Sequence, residues 1–552
     1  MQQILKDIFL VLGKQEKRRF IYLAVLDVAV SVLDIFFIVL LLFIIDFYSG
    51  KDHTTSYPGF FSWLSGTSSL LPILLFFLLF SIKNVFAFMV FRAQHGFIFE
   101  VASRISKNRL LHYLEGPYAG YVQTDSAVHM RSISQQPFEF CNYVLKSVQQ
   151  IISQGILICL SVISIVIYNA TLFPLLFLIL VPPVIIAGFI MKKKLKAIRV
   201  SLKTTGEQSW QHLKESLTGF VESNIYGKNN FFLERFHRFQ FKQNQYQAAQ
   251  QTIQNLPPRL IEVFAVFGLF ILISITTWHT SLQMLNIVTI GAFLAAAYKI
   301  IPGIVKIMNS IGQIKMYSFA IAGVGREKEI LLRNPDTATR IVSIQFDHVF
   351  FYYGKEIVLD DFSLQINAGD FVGIAGVSGK GKSTLINLLL GFLAPARGSI
   401  IINGEVIHTA NHRQYWNSIS YIKQQSFLFH DTILKNITLQ EDAYDAAKLE
   451  QVIKLTGVDD LISKSDNGIH TMITEEGKNF SGGQRQRIIL ARALYKDFDT
   501  LILDEPFNEL DEAAEIALLT QLKKISAAGK TVILITHNKE SLSFCNKQIY
   551  LA

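Results

Sequence analysis

Long apolar stretches, separated by short or polar connections, fill the chain up to about residue 310. A helix needs about 20 residues to cross a bilayer. Six stretches reach that length, and we predict membrane-spanning helices at about 20–47, 67–91, 144–168, 170–191, 260–278 and 286–308. The first stretch is too long for a cleavable signal peptide and lacks a small-residue cleavage site. The pattern therefore predicts an all-α transmembrane bundle of six helices within residues 1–325.

The pattern changes after a polar linker at residues 326–340. "SIQFDHVFFYYG" and "FSLQI" alternate like strands of an antiparallel sheet. Short apolar runs that end in glycine-rich or acidic segments follow, as expected for buried strands of an α/β domain. We predict an α/β domain over residues 341–552, so the fold class is a multi-domain membrane protein.

Composition and charge add an orientation. Half of the 552 residues are apolar and 17% are charged, whereas a soluble protein usually carries about 25% charged residues. Lys and Arg number five in residues 1–19, five in 92–137 and eleven in 192–258, but the alternate connections carry only Lys51. This positive-inside pattern predicts a multi-pass protein of the inner (plasma) membrane, with the N-terminus and everything after residue 310 cytoplasmic. Loop charges facing anionic lipid also account for the net charge of +9, so no nucleic-acid partner is predicted.

The segment "GVSGKGKS" (376–383) fits the phosphate-binding pattern G-x-x-x-x-G-K-[ST], with a strand before it and a helix after it. Glycines let backbone N–H groups wrap the phosphates, Lys382 would reach the β- and γ-phosphates, and Ser383 would contact Mg²⁺. A flexible Gly-Ser turn is the alternative, and the flanking strand and helix argue against it. The residues expected to bind ATP here are Gly376, Ser378, Gly379, Lys380, Gly381, Lys382, Ser383 and Thr384.

Two further strand ends carry candidate chemistry. "TLILDEP" (500–506) is an apolar strand that ends in two carboxylates. Asp504 would hold Mg²⁺, and Glu505 would act as general base or position the attacking water. "VILITHN" (532–538) ends in His537, which would either bond the γ-phosphate or be an ordinary surface histidine. The spacing alone does not decide between these roles.

Taken together, these segments resemble the ATP-binding cassette of ABC transporters, and "FSGGQRQR" (480–487) resembles the signature that defines that family. The resemblance covers the whole chain, with six spans followed by one cassette. It implies that Tyr353 stacks on adenine, that Gln424 contacts Mg²⁺ and senses the membrane domain, and that His537 is the switch histidine. It also implies that Asp511 in "NELD" belongs to the inter-subunit loop.

In the family, the signature of one cassette caps ATP held by the phosphate loop of another. The resemblance therefore implies that Ser481, Gly482, Gly483 and Gln484 complete the ATP site of a partner chain. One chain would carry two half-sites, and a second copy of itself or a similar half-transporter would complete them. The sequence departs from the usual pattern at Phe480, at Lys423 and in "NELD" (508–511), without loss of a catalytic group.

The α/β domain is thus predicted to be a P-loop NTPase, an ATP-binding cassette domain, and other classes of protein fit the sequence less well. The six spans exclude a soluble cassette protein of translation or repair. Lys382, Asp504 and Glu505 argue against a channel with an inactive ATPase, and importers mostly keep membrane and cassette parts on separate chains. The expected function is an ATP-hydrolysing exporter or flippase, and a peptide or multidrug exporter is the alternative.

The membrane half contributes two further predictions. Residues 116–133 and 215–236 resemble the two intracellular loops that dock on cassettes, although solvated amphipathic helices would look alike. Charged residues lie within the predicted spans, namely Asp27, Asp34, Lys83, Glu262, Lys299 and Lys306. They would either pair with one another or line a cavity that binds a charged amphiphile from the inner leaflet, such as a lipid-linked oligosaccharide.

Overall fold

The computed structural model describes residues 2–49, 70–116, 118–168, 172–278, 287–320, 339–377, 379–408 and 411–551. The chain divides into two compact units. The first comprises Met1–Gly116 and Gly120–Ile330, and the second comprises Pro117–Ala119 and Leu331–Ala552.

The first unit is helical. Its longer helices are α1 (Gln2–Val11), α2 (Lys14–Ser49), α3 (Leu71–Leu114), α7 (Lys146–Tyr168), α8 (Leu172–Thr218), α10 (Asn229–Gln254), α11 (Leu256–Trp278) and α12 (Ile287–Tyr317). Shorter helices are α4 (Tyr118–Gln123), α5 (Ser126–Met130), α6 (Gln136–Glu139) and α9 (Phe220–Ile225), with π-helical turns at Arg131–Gln135 and Phe140–Leu145. A long helix therefore covers each predicted span, apart from residues outside the described ranges.

Three segments within the described residues are long and apolar enough to cross a membrane: Lys14–Leu41, Leu71–Leu114 and Ser126–Ser164. The remaining predicted spans coincide with α8, α11 and α12, whose side chains lie partly outside the described set. The helical bundle expected from the sequence is confirmed, and the limits of the individual spans stay predictions.

A buried cluster joins α1, α2, α3, α7, α8 and α12 with the π-helical turns. Phe97 and Ile98 on α3 meet Phe140, Val144 and Leu145, all of them at most 1% exposed. Burial of such aliphatic and aromatic side chains is the main source of stability where lipid does not surround the helices. This part of the bundle is therefore packed like the core of a soluble protein.

The charged side chains within the predicted spans differ in the partners with which they form ion pairs. Asp34 on α2 forms an ion pair with Lys83 on α3, and the Lys83 ammonium lies 5.0 Å from the centroid of the Phe80 ring. The side chains of Lys83 and Asp34 are only 9% and 21% exposed. Glu262 pairs at 3.2 Å with Arg259 on its own helix, where both side chains are exposed. Pairing across helices is thus present for Asp34 and Lys83.

The other charged residues do not follow that pattern. Asp27 and the exposed Lys306 form no ion pair with another residue in the described part of the chain. The side chain of Lys299 lies outside the described residues. The alternative role for these charges, binding of a charged substrate, stays a prediction.

The second unit is an α/β domain with three sheets. An antiparallel sheet has the order β2–β1–β4–β5, a parallel sheet has the order β11–β3–β10–β9–β6, and β7 pairs with β8. The strands are β1 (Ser343–Tyr353), β2 (Glu356–Asn367), β3 (Phe371–Gly376), β4 (Arg397–Ile402), β5 (Glu405–Val406), β6 (Ile419–Ile422), β7 (Asp431–Thr432), β8 (Met472–Ile473), β9 (Thr500–Asp504), β10 (Thr531–Ile535) and β11 (Lys547–Leu551). The helices are α13 (Lys382–Leu389), α14 (Ile433–Thr438), α15 (Ala446–Thr456), α16 (Asp459–Ser463), α17 (Gly482–Tyr495), α18 (Glu512–Ala527) and α19 (Lys539–Ser543).

The parallel sheet fixes where the site must be. All residues of β9 and β10 are buried, as expected for central strands covered on both faces. Because β3, β9 and β10 run in parallel, their carboxyl ends meet at one edge of the sheet. In open α/β sheets ligands bind outside those carboxyl ends. The α/β fold class predicted for residues 341–552 is confirmed.

Tyr118, from the first predicted docking loop, groups with the second unit. Its ring stacks on Phe392 with the centroids 4.8 Å apart and the planes at 19°. Phe392 also lies 5.5 Å from the Trp416 ring. The docking role predicted for residues 116–133 stays a prediction.

The Asp34–Lys83 pair yields a stability prediction. Lys83→Met would remove the cation that pairs with the largely buried Asp34 carboxylate, and we expect a loss of about 3 kcal/mol, read as a lower thermal unfolding midpoint in detergent. Adding Asp34→Leu should recover most of that loss because the carboxylate that lost this partner is then removed as well. Lys306→Met, at an exposed position, is the control and should change the midpoint little. A double variant as unstable as Lys83→Met alone would show that the pair is not the cause.

Candidate functional site

The phosphate-binding loop joins the end of β3 to the start of α13. Gly379 and Gly381 have φ angles of 86° and 87°, left-handed conformations that glycine adopts without strain. A Cβ on Gly381 would lie 2.7 Å from the side chain of Val358, so the turn leaves no room for a side chain. A glycine loop that leads directly into a helix N-terminus is the arrangement that binds phosphate through backbone N–H groups.

Lys382 is the first residue of α13 and is 8% exposed. Its ammonium donates to the carbonyl oxygen of Gly376 at 2.6 Å and lies 3.1 Å from Nε2 of His537. Of its neighbours, Ser383 is exposed and Thr384 is buried, and Ser378 lies outside the described residues. The lysine is therefore held at the carboxyl edge of the sheet, where the sequence predicts phosphate binding.

Glu505 follows directly on β9 and has a φ angle of 51°, which is uncommon for a residue with a side chain. The turn places its carboxylate among three partners. Nε2 of Gln424 donates to Oε2 at 2.7 Å, and Nδ2 of Asn508 donates to the same oxygen at 3.0 Å. Nε2 of His537 lies 2.8 Å from Oε1. Glu505, Gln424 and His537, singled out separately in the sequence, thus meet at one carboxylate.

These contacts set the charge of Glu505. Partial burial by itself would raise the pKa of its carboxyl group, but the hydrogen bond from Asn508, the charge of His537 and the hydrogen bond from Gln424 outweigh it. The net result is a pKa below the usual value. A carboxylate that stays ionised at neutral pH can accept a proton from water, as a general base must.

Asp504, the last residue of β9, has the opposite environment. Burial, and then the charge of Glu505, raise the pKa of Asp504, whereas Lys382 and Lys423 act against that rise. Its side chain forms no hydrogen bond or ion pair with another described residue, so its oxygens have no protein donor in that part of the chain. Such oxygens suit Mg²⁺, which prefers one or two carboxylates together with phosphate oxygens.

No group of three or more His, Cys, Asp or Glu side chains suited to holding a metal occurs within the described ranges. A Mg²⁺ ion at this edge would therefore depend on the nucleotide for most of its ligands. The protein ligands predicted for it, Asp504, Ser383 and Gln424, stay predictions.

The signature segment forms the start of α17. Ser481 is its N-cap: the Ser481 hydroxyl accepts from the backbone N–H of Gln484 at 3.3 Å, and the Ser481 N–H donates to Oε1 of Gln484 at 2.8 Å. This reciprocal capping box fixes the first turn of the helix. No hydrogen bond or ion pair among the described residues joins these signature residues to Lys382. The sharing of ATP sites between two chains, which the resemblance implies, stays a prediction.

The two signature glycines pack against the loop that follows Glu505. A Cβ on Gly482 would lie 1.8 Å from Oε2 of Glu509, and a Cβ on Gly483 would lie 2.8 Å from the Glu509 carbonyl oxygen. Arg485 flanks the same carboxylate at 3.7 Å. The backbone contact leaves no room for a side chain at Gly483, whereas a side chain at Gly482 would have to displace the Glu509 side chain.

The loop at residues 508–511 connects both surfaces. Asn508 bonds Glu505, while its neighbour Glu509 lies on Gly482. Asp511 caps α18 by accepting from the N–H of Ala514 at 2.8 Å and lies 3.5 Å from Arg487. From the sequence, "NELD" is a departure from the family pattern that carries Asp511, and the hydrogen bond from Asn508 to Glu505 was not predicted. The amide side chain of Asn508, which is unusual at this position, was the feature of the sequence that could have indicated the hydrogen bond.

Tyr353 ends β1 and is 53% exposed, with its ring edge-on to Phe351 at 5.0 Å. An exposed ring at a strand end can stack on a nucleotide base. Its contact with adenine stays a prediction, as do the nucleotide contacts of Lys380, Gln484 and Asp511.

The buried lysine of the phosphate loop, the carboxylate pair at the end of β9 and the capped signature helix define an ATP-binding cassette of the ABC transporter type. Residues 359–508 match the sequence model of the family described as ABC transporter. Across the chain, a solved structure of a bacterial Atm1-family ABC exporter with ATP bound superposes with a TM-score of 0.77, at 18% identity, covering 97% of this chain and 94% of that one. The chain has the fold and the motifs of an ABC exporter half-transporter, which confirms the predicted resemblance.

Curated relatives agree with this class. An ATP-dependent lipid A-core flippase of Yersinia pestis is 25% identical over 476 residues, which are 83% of this chain and 81% of that protein. An export ATP-binding/permease protein of Rickettsia typhi is 41% identical over 214 residues, but these cover only 38% of this chain and 36% of that protein. Higher identity thus extends over little more than a third of the Rickettsia protein. The findings support an ATP-dependent exporter in a membrane.

Asn508 provides a test of the site. Asn508→Ala removes a donor to Glu505 and should raise the pKa of that carboxyl group. Because the base must be ionised, the acidic limb of the ATPase pH profile should move to higher pH, with a smaller change near the optimum. Asn467→Ala, at an exposed asparagine outside this cluster, should leave the profile in place. An unshifted acidic limb in Asn508→Ala would show that Asn508 does not tune Glu505.

Proposed function

We propose that the protein is an ATP-driven exporter or flippase that works as a dimer. The observation that carries this proposal is that the signature residues take no part in the group around the phosphate loop. Lys382, His537 and Glu505 form one connected group, and within the described residues no hydrogen bond or ion pair joins Ser481 or Gly483 to it. A second chain placing its signature opposite the phosphate loop would complete two ATP sites.

Within such a site the residues have distinct tasks. Lys382 would exchange its bond to the Gly376 carbonyl for the β- and γ-phosphates, since the ammonium is held at the mouth of the loop. Glu505, kept ionised by Asn508, His537 and Gln424, would orient the attacking water and accept its proton. When bound, Mg²⁺ would neutralise phosphate charge, with Asp504 as its buried protein ligand.

His537 lies between Lys382 and Glu505. Its Nε2 lies near both Lys382 and Glu505, and it can accept from the lysine when neutral or donate to the carboxylate when protonated. A γ-phosphate placed at Lys382 would be within reach of the same ring. His537 is therefore proposed to link the presence of the γ-phosphate to the readiness of Glu505.

The membrane half is proposed to carry an amphiphile. The positive-inside pattern places the cassette in the cytoplasm, and the flippase name of the Yersinia relatives supports a lipid substrate moved from the inner to the outer leaflet. An anionic lipid such as a lipid-linked oligosaccharide suits the basic residues of the membrane half. Peptide and multidrug exporters share this fold, so transport of a peptide or a neutral drug is the competing outcome when candidate substrates are tested for ATPase stimulation.

Glu505→Gln tests the catalytic assignment. The amide cannot take a proton from water, so we expect ATP hydrolysis to fall by at least about 100-fold while ATP binding persists. A closed, ATP-bound dimer should accumulate and be visible by size-exclusion chromatography with bound-nucleotide analysis. Glu405→Gln, at an exposed glutamate of β5 that forms no hydrogen bond or ion pair with these residues, keeps the base and should retain hydrolysis. Near-normal turnover in Glu505→Gln would assign the base to another residue.

Mixed dimers test whether the sites are shared. Lys382→Ala disables the phosphate loop and Ser481→Arg blocks the signature, so each homodimer should lack an intact site. A dimer of one chain of each kind keeps one complete site, formed by the loop of the second chain and the signature of the first. We expect ATPase activity to reappear when differently tagged chains are copurified. Activity absent from the mixed dimer, or present in either homodimer, would contradict a shared site.

A further inference from the structure

Lys423 is a departure from the family pattern to which the proposed function gives no role. It follows directly on β6, which pairs in parallel with β9. In that pairing Ile422 lies opposite Leu503, so the next position along each strand brings Lys423 beside Asp504. The strand register therefore places a cation next to the carboxylate that is predicted to hold Mg²⁺.

Two hydrogen bonds hold the backbone around Lys423. The Ser426 hydroxyl donates to the carbonyl oxygen of Lys423 at 2.6 Å. Nε2 of Gln424 donates to Oε2 of Glu505 at 2.7 Å. Because Glu505 follows Asp504, the second bond ties the residue after Lys423 to the residue after Asp504. The turn that carries Lys423 is thus attached to the end of β9.

The side chain of Lys423 belongs to the face of β6 that lies toward Asp504. Alternate residues of a strand share a face, and Tyr421 is two positions before Lys423. Burial, and then the charge of Asp504, raise the pKa of the Tyr421 hydroxyl, so that face is within reach of the carboxylate. Burial and Glu505 raise the pKa of Asp504, and the charges of Lys382 and then Lys423 lower it.

Asp504 therefore lies between two cations that come from opposite sides. In the sheet order β11–β3–β10–β9–β6, the loop of Lys382 follows β3, and Lys423 follows β6 on the other side of β9. Lys423 is exposed, and its ammonium forms no hydrogen bond or ion pair with another residue in the described part of the chain. Its charge is thus available to an anion that binds at this edge.

The charges at the edge show what a second lysine changes. When Asp504 and Glu505 are ionised, Lys382 alone leaves the carboxylates in excess, whereas Lys382 and Lys423 together balance them. An excess of negative charge repels a triphosphate, and the Coulomb energy grows in proportion to the charge of the nucleotide. ATP carries about four negative charges by itself and about two as its Mg²⁺ complex, so the repulsion is larger without the ion.

We propose that Lys423 is a positioning residue of the nucleotide site, which balances the carboxylates at the end of β9 together with Lys382 and so makes ATP binding less dependent on Mg²⁺. This inference rests on the proposed function only in that the carboxyl edge of the sheet binds ATP. It requires neither a dimer nor hydrolysis. Because the charge of the nucleotide halves when Mg²⁺ is bound, the fold loss of affinity without Mg²⁺ should be about the square of the loss with it.

The test is the affinity of the full chain in detergent for the slowly hydrolysed analogue ATPγS, measured by isothermal titration calorimetry with Mg²⁺ and again in EDTA. Lys423→Gln removes the charge, and we expect Kd to rise about threefold with Mg²⁺ and about tenfold in EDTA. Lys423→Arg keeps the charge and should restore both affinities. Since Lys423 is exposed, the thermal unfolding midpoint of either variant without nucleotide should stay near that of the wild type.

Lys464→Gln is the matched control, at an exposed lysine that is not among the charges acting on Asp504, and it should change neither Kd. Equal losses in Lys464→Gln and Lys423→Gln would show general attraction of an anion to a basic protein and would overturn the assignment. So would an equal fold loss with and without Mg²⁺, or a failure of Lys423→Arg to restore binding. Wild-type protein that does not bind ATPγS under either condition would instead refute the ATP site on which the proposed function depends.

Discussion

The nucleotide-binding unit depends on holding one carboxylate, that of Glu505, ionised at the end of a fully buried strand. The residue adopts a left-handed backbone conformation, which costs a side-chain-bearing residue about 1–3 kcal/mol and persists only where the surroundings enforce it. The enforcing contacts come from Gln424, Asn508 and His537, on three different segments. The parallel sheet brings those segments together, because the carboxyl ends of β9 and β10 are neighbours. The arrangement of parallel strands that forms the sheet thus also places the residues that hold Glu505 ionised.

The membrane unit handles its charged side chains in two ways. Asp34 and Lys83 form an ion pair between helices, and the Lys83 ammonium lies over the Phe80 ring. Glu262 pairs with Arg259 on its own helix, where both side chains are exposed. Breaking a buried ion pair is costly, whereas an exposed pair contributes little to stability. Of the two, the pair between helices is therefore the one that bears on stability.

Local spacing made much of the cassette predictable. "GVSGKGKS" sets a strand, a loop and a helix start, and "TLILDEP" sets a buried strand with two acids, so Lys382, Asp504 and Glu505 could be placed from the sequence. The direction of the side chains in the loop after Glu505 could not be predicted from the sequence, because it depends on packing against α17. Asn508 was therefore missed, and the signature glycines were given only an anion-binding purpose. Likewise, hydrophobic pattern predicted the helices, but not that Glu262 would pair with Arg259 on its own helix while Asp34 reached across to Lys83.

The packing of Glu509 on Gly482 has a consequence for communication. Asn508 and Glu509 are adjacent, so the loop cannot move away from the signature without disturbing the hold on Glu505. In a dimer of the proposed kind, the signature of one chain contacts the nucleotide of its partner. Glu509, which packs on that signature, is joined by one peptide bond to Asn508, which bonds the proposed catalytic base Glu505. A displacement of Glu509 at one nucleotide site would therefore also change the contacts of Glu505 at the other site. Alternation between two sites would then need no long relay through the protein, only the stiffness of one short loop.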